Sequence, residues 1–268
     1  MRHSSAQAPT VVGRVLNVLG AFGVDRPSLS LSEISRRAGL PLSTTHRIVG
    51  ELAGRGALER EEDGRYRIGL WLWEVASLSP RGMGLRDAAM PFLEDLYEAT
   101  HENVQLAVLD VPDVVYVERI SGRQAVNVVS RVGGRLAAHA TGVGLVLLAN
   151  APADVQEEVL AGPLKRYTDR TIASAEQLRR VLADVRRDGF VISDRQVELV
   201  SLSVAAPVYD DTGQVVAAIS IVVPAEGPDP RTLVPAVRAA ARGISRTLGA
   251  SLPSSGSRRA RGAVRHSS

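Results

Sequence analysis

Two short stretches hold the residues whose types and spacing could do chemistry. Ser43-Thr44-Thr45-His46-Arg47 follows Pro41 and strings five hydrogen-bonding side chains together. On the exposed start of a helix, such a set suits the edges of bases in a DNA major groove, where Arg can hold guanine by two hydrogen bonds and Ser or Thr can meet a base or a phosphate. Arg47 is the leading candidate for base readout, with a phosphate contact as the open alternative. Downstream, Arg65 and Arg67 flank Tyr66 and could grip the DNA backbone. The second stretch, Thr141-Gly142-Val143-Gly144, precedes Leu145 and Leu147-Leu148-Ala149. A glycine-rich helix start offers N–H groups to an anion; the alternative is that Gly142 and Gly144 only permit close packing. Catalytic patterns are missing: His101 and His139 stand alone, and neither G-x-S-x-G nor H-E-x-x-H occurs. No catalytic residue, metal ligand set or cofactor is expected.

The elements that must position these residues can be read from periodicity. Val11, Val15, Leu16, Val18, Leu19 and Phe22 recur at helical spacing. Ser30 and Glu33 have capping-box spacing, which starts a second helix, and Gly39 permits its stop. Pro41 suits the first turn of a third helix reaching about Arg55, buried through Ile48, Val49 and Leu52. Two helices joined by a glycine-containing turn make a helix-turn-helix. Extended runs at 57–60 and 65–69 flank Glu61-Glu62-Asp63-Gly64, and Asp-Gly predicts a hairpin, the wing. A connecting helix at 70–79 ends at Ser79-Pro80-Arg81-Gly82, and its Leu70, Trp71, Leu72 and Trp73 predict burial against a partner subunit or a domain face. Beyond lies an amphipathic helix from Leu85, then strands at 104–110, 114–120, 125–131, 190–193, 203–209 and 215–223, with helices at 142–149, 153–160, 174–187 and 231–249. The fold class predicted is α+β, with helices flanking a mainly antiparallel sheet. The expected division is a flexible start (1–10), a winged helix-turn-helix (11–70), a linker helix (71–84), an effector-binding domain (85–250) and a disordered basic tail (251–268).

The 268 residues suffice for two domains, and 45% hydrophobic with 23% charged residues indicates a globular chain without a transmembrane run. The start lacks the apolar segment of a signal peptide, and the chain has no cysteine, so a cytoplasmic location is expected. The net charge of +3 is unevenly spread: +2 over 1–79, −3 over 80–253 and +4 over 254–268. Bulk charge therefore permits DNA binding without establishing it.

The order of motifs across residues 11–248 resembles the IclR-type bacterial transcriptional regulators. The resemblance rests on Leu31-Ser32-Glu33-Ile34-Ser35, Ala38-Gly39-Leu40-Pro41, Ser43 to Arg47 and Asp63-Gly64-Arg65-Tyr66. Further along it rests on Thr141 to Gly144, Asp188-Gly189-Phe190 and Ala205-Ala206-Pro207-Val208-Tyr209-Asp210 with Gly213 and Ala217 to Ser220. It implies a GAF-like effector domain, dimers or tetramers, double-stranded operator DNA as partner, and repression of metabolic genes under a small-molecule effector. It also implies effector contacts at Gly142 and Val143, at Ser193 or neighbouring Asp194, at Ser203 and at Ser220; Leu145 and Val222 are expected to offer apolar wall. Ser203 departs from the cysteine of many relatives. The effector expected is an organic or aromatic acid. Two other readings compete: an enzyme fused to a DNA-binding module, which needs a nucleophile and base that the sequence does not supply, and a nucleoid protein, for which the C-terminal domain is needlessly large.

Overall fold

A computed structural model describes residues 10–251 except Val24 and Gln124. The expected flexible start and basic tail lie, apart from Thr10 and Ser251, outside the described residues. The chain divides into two compact units, 1–82 and 83–268.

In the first unit, α1 (Val11–Leu19), α2 (Leu31–Ala38) and α3 (Leu42–Gly54) surround a core of Val18, Ile34, Ile48 and Val49. The start of α2 is fixed locally. The Ser30 N–H donates to Glu33 Oε2 at 2.8 Å and the Glu33 N–H donates to Ser30 Oγ at 3.3 Å, an exchange whose loss typically costs about 1 kcal/mol. Gly39 ends the helix at φ 66°, a left-handed conformation that glycine adopts without strain. Pro41 stands at the cap of α3, one residue before the helical position expected for it.

The wing is the hairpin β2 (Leu58–Arg60) and β3 (Tyr66–Ile68), with β1 (Ser28–Leu29), unforeseen in the sequence, pairing with β3 on its other side. Next, α4 (Leu70–Ser77) is shorter than the expected linker helix. One wide π-type turn at Pro80–Gly84 then leads into α5 (Leu85–Thr100).

The second unit is built on one six-stranded, wholly antiparallel sheet in the order β6-β5-β4-β9-β8-β7. Its strands are β4 (Asn103–Asp110), β5 (Asp113–Ile120), β6 (Arg135–Ala137), β7 (Val191–Asp194), β8 (Ser201–Tyr209) and β9 (Val215–Pro224). Strand alternation sorts the side chains. Leu106, Val204, Ile219 and Ile221 face α5 and α9 (Val234–Thr247), while Ala107, Val191, Ala205 and Ala218 face α6 (Gly142–Asn150) and α8 (Ala175–Asp188), beside which lies α7 (Ala153–Ala161). The sheet is therefore buried on both faces, and this is the α+β architecture expected. The turn joining β8 to β9 is held by Asp210, whose Oδ1 accepts from the Thr212 and Gln214 N–H groups at 3.0 and 2.9 Å.

One expected strand is absent. Residues 125–131 run irregularly, and the sheet is closed instead by β6. Apolar β-branched content suggests a strand, but the segment is bound by side chains of β4 and β5 and not by a backbone ladder: Asn103, Gln105 and Arg119 bond the Val126 and Ser130 positions.

Candidate functional site

The recognition face of α3 follows its helical period. Ser43, His46 and Arg47 are exposed, as is Gly50 one turn later, and Thr44 is half-buried. Thr45 is a correction: it is fully buried, donating its hydroxyl to the Pro41 carbonyl at 3.1 Å. It lies three and four residues before Ile48 and Val49 and so shares their inward stripe. Arg47 reaches Glu51 at 3.3 Å with both side chains more than 60% exposed, a pairing weak enough to be exchanged for DNA.

The wing arginines are held within the fold. Arg65 donates to the Ser28 carbonyl at 2.8 Å and to Glu33 at 3.1 Å, and Arg67 donates to Glu59 at 2.9 Å. The Glu33 carboxyl is held below the usual range, by the Ser30 backbone N–H and hydroxyl first and by Arg65 less strongly.

In the second unit, sheet register assembles a cavity. Cross-strand neighbours place Asn103, Val222, Ser203 and Ser193 in one row, and Gln105, Ser220, Ala205 and Val191 in the next, all on the α6 side. The first turn of α6 lies over these rows: a Cβ added to Gly142 would stand 2.5 Å from Ser203 Oγ and 3.5 Å from Ser193 Cβ. Thr141 caps the helix by accepting the Gly144 N–H at 3.1 Å. Gly142 and Val143 are the first two helical residues, whose N–H groups have no acceptor within the helix. Ser193, Ser203, Ser220, Gly142, Val143 and Val222 all line the cavity. Ser220 Oγ is fully buried and has no hydrogen-bond partner among the described residues.

Two expectations fail here. Asp194 is not a lining residue; one place along β7 from Ser193, it lies on the opposite side of the strand and pairs with Arg195 at 3.2 Å. Leu145 is packed in the core and not on the cavity wall.

The sequence reading missed Gln105, Tyr116, Ser130 and Glu198, which also line the cavity. They come from β4, β5 and two irregular segments. Residues 125–131 cover the site and are tied down by side chains: Asn103 Nδ2 donates to the Val126 carbonyl at 2.7 Å, Gln105 Nε2 to Ser130 Oγ at 2.7 Å, and Arg119 Nη1 to the Ser130 carbonyl at 2.8 Å. The Val129 N–H donates to Glu198 Oε2 at 3.3 Å. Buried polar residues at alternate positions of β4, Asn103 and Gln105, were the signal that something polar had to meet them. His139 lies away from this site, its ring Nε2 3.0 Å from the Lys165 carbonyl, and burial keeps its pKa below the ordinary imidazole value.

A family model described as the bacterial transcriptional regulator IclR C-terminal domain matches residues 79–246, and one for the IclR helix-turn-helix domain matches residues 11–62. The chain belongs to the IclR family. This IclR-family regulator is 32% identical to the Escherichia coli regulator XynR over 78% of its own length and 84% of that protein. It is 34% identical to the Klebsiella pneumoniae repressor AllR over 83% and 84%. Among solved structures, an IclR homolog from Microbacterium hydrocarbonoxydans complexed with 4-hydroxybenzoate is 42% identical, with a TM-score of 0.85 over 89% of this chain and 99% of that one. The Thermotoga maritima IclR is 28% identical, with a TM-score of 0.72 over 89% and 98%. The winged helix-turn-helix of this IclR-family regulator is thus a DNA-binding module, and the chain is a regulator of transcription. Among the described residues, no helix is long and apolar enough to cross a membrane.

Proposed function

We propose that this regulator is a repressor released or strengthened by a small carboxylic acid bound in the cavity under α6. The observation that carries the reading is the fully buried, unpartnered Ser220 hydroxyl facing the same space as the first turn of α6. A carboxylate at the N–H groups of Gly142 and Val143 gains from hydrogen bonds and from the helix dipole. Ser193, Ser203 and Ser220 orient the rest of the molecule, and Val222 supplies apolar wall. The similar protein crystallised with 4-hydroxybenzoate makes an aromatic acid the first ligand to try.

On the DNA side, Ser43, His46 and Arg47 meet the major groove, with Thr44 at the edge, while Arg65 and Arg67 exchange part of their internal pairing for phosphates. The chain works as a dimer or tetramer with a palindromic operator. The support for this is the run of exposed apolar side chains on α4, where Leu70, Trp71, Trp73 and Val75 are each 47–62% exposed; clustered apolar surface of that kind marks an interaction site. It acts without catalysis, cofactor or metal, in the cytoplasm.

The test combines calorimetry of the full chain with 4-hydroxybenzoate and a mobility shift on an operator found by genome-wide binding. Binding that changes operator affinity by about five- to 150-fold is expected. Ligand binding without any change in operator affinity would overturn the regulatory half.

A further inference from the structure

The effector site is lopsided in charge. One end is the α6 N-terminus, which carries the positive end of the helix dipole. Among the described residues that line the cavity there is no Lys, Arg or His, and the single carboxyl group is that of Glu198. Glu198 is fixed at the wall by the Val129 N–H. Tyr116 lines the same cavity, and its hydroxyl pKa is pushed up by burial first, then by Glu198 and by Tyr167.

We propose that Glu198 is a specificity-determining residue that restricts the effector to monocarboxylates with an uncharged, hydrogen-bonding far end and turns dicarboxylates away. The inference rests on the reading of this cavity as the effector site. A ligand whose carboxylate occupies the α6 N-terminus leaves its other end among Gln105, Ser130 and Ser220. A hydroxyl there finds neutral donors and acceptors, including the open Ser220 Oγ. Among the described lining residues a second carboxylate finds no cation, and it shares the cavity with Glu198. Like charges confined to one small cavity repel, and an unmatched charge aimed at the wrong ligand is a common device of selectivity.

The experiment is calorimetry of the full chain with two matched pairs, 4-hydroxybenzoate against terephthalate and 3-hydroxypropanoate against malonate. In each pair that binds, the monoanion should bind at least about tenfold more tightly than the dianion. Glu198→Gln keeps an acceptor for the Val129 N–H and should close most of that gap by tightening the dianion, while Glu198→Asp, which keeps the charge, should preserve it. A wild-type preference for the dianion, or an unchanged ratio in correctly folded Glu198→Gln, overturns the specificity role and leaves the effector site standing. If neither pair binds the wild type, the effector-site reading fails and the role of Glu198 falls with it.

Discussion

Alanine at Gly142 and at Gly144 should have opposite consequences, although the two glycines share one helical turn. A Cβ at Gly144 would overlap the Ala138 carbonyl oxygen and stand 2.5 Å from Ala138 Cα and 2.6 Å from its carbonyl carbon. Those are backbone atoms of the turn leading into α6, and ordinary contact between carbon atoms needs about 3.5–4 Å, so the turn and helix must part by roughly 1 Å. At Gly142 the nearest atom is Ser203 Oγ at 2.5 Å, the end of a short side chain that can rotate, and the next two lie at 3.5 Å.

Overpacking costs about 1–3 kcal/mol. Gly144→Ala belongs at the top of that range and Gly142→Ala at or below its foot, where the gain in helix propensity offsets part of the cost. In a unit of this size each kcal/mol shifts the unfolding temperature by about 2–4 °C. Differential scanning calorimetry should therefore show a fall of about 6–12 °C for Gly144→Ala and no more than about 4 °C for Gly142→Ala. The methyl group at 142 enters the space above Ser203, so titration with 4-hydroxybenzoate should lose at least about tenfold in affinity, or about 1.4 kcal/mol. Equal melting temperatures for the two variants, or undiminished ligand binding by Gly142→Ala, would refute this division of roles.

Arg47→Ala should cost about 1–3 kcal/mol of operator affinity and relax preference at one base pair, as measured by mobility shifts on single-base operator variants; an equal loss on every sequence would move Arg47 to a phosphate. Thr45→Val should act oppositely, destabilising the fold by about 1 kcal/mol through its lost hydrogen bond to Pro41 while leaving base preference alone. Glu33 has its carboxyl pKa lowered in the folded state, chiefly by the Ser30 backbone N–H, so its stabilising effect is complete above the ordinary carboxylate value and is lost as the pH falls through the depressed one. Glu33→Gln should accordingly melt earlier than the parent at pH 7, with the difference vanishing through the acid range; a deficit that persists in acid would mean the carboxylate charge is not its source.

What the sequence made legible is what neighbouring residues decide among themselves. The Ser30–Glu33 capping box, the left-handed Gly39 and the turn between β8 and β9 are each specified within a few residues, and each was readable. Thr45 was misplaced because polarity was weighed over helical phase, although its spacing from Ile48 and Val49 was already available. Of the neighbours Ser193 and Asp194 only one can face a given side of a strand, and it is Ser193 that lines the cavity. The placement of residues 125–131 and Glu198 was out of reach for another reason, even though polar Gln105 in a strand signalled that some partner had to meet it. Their roles depend on contacts 25 and 69 positions apart in the chain, which apolar patterning within one segment does not encode.

The roof over the cavity is secured by side chains of Asn103, Gln105 and Arg119 and takes no part in the ladder of the sheet. A residue inserted or removed there shifts no strand register, whereas the same change within β4 or β9 would send every following side chain to the wrong face. The two halves of the site can therefore diverge at different speeds. The floor is bound by the geometry of the whole domain, whereas the seven roof residues answer only to the few side chains that hold them, so changes of effector should fall more readily on the roof than on the strands beneath it.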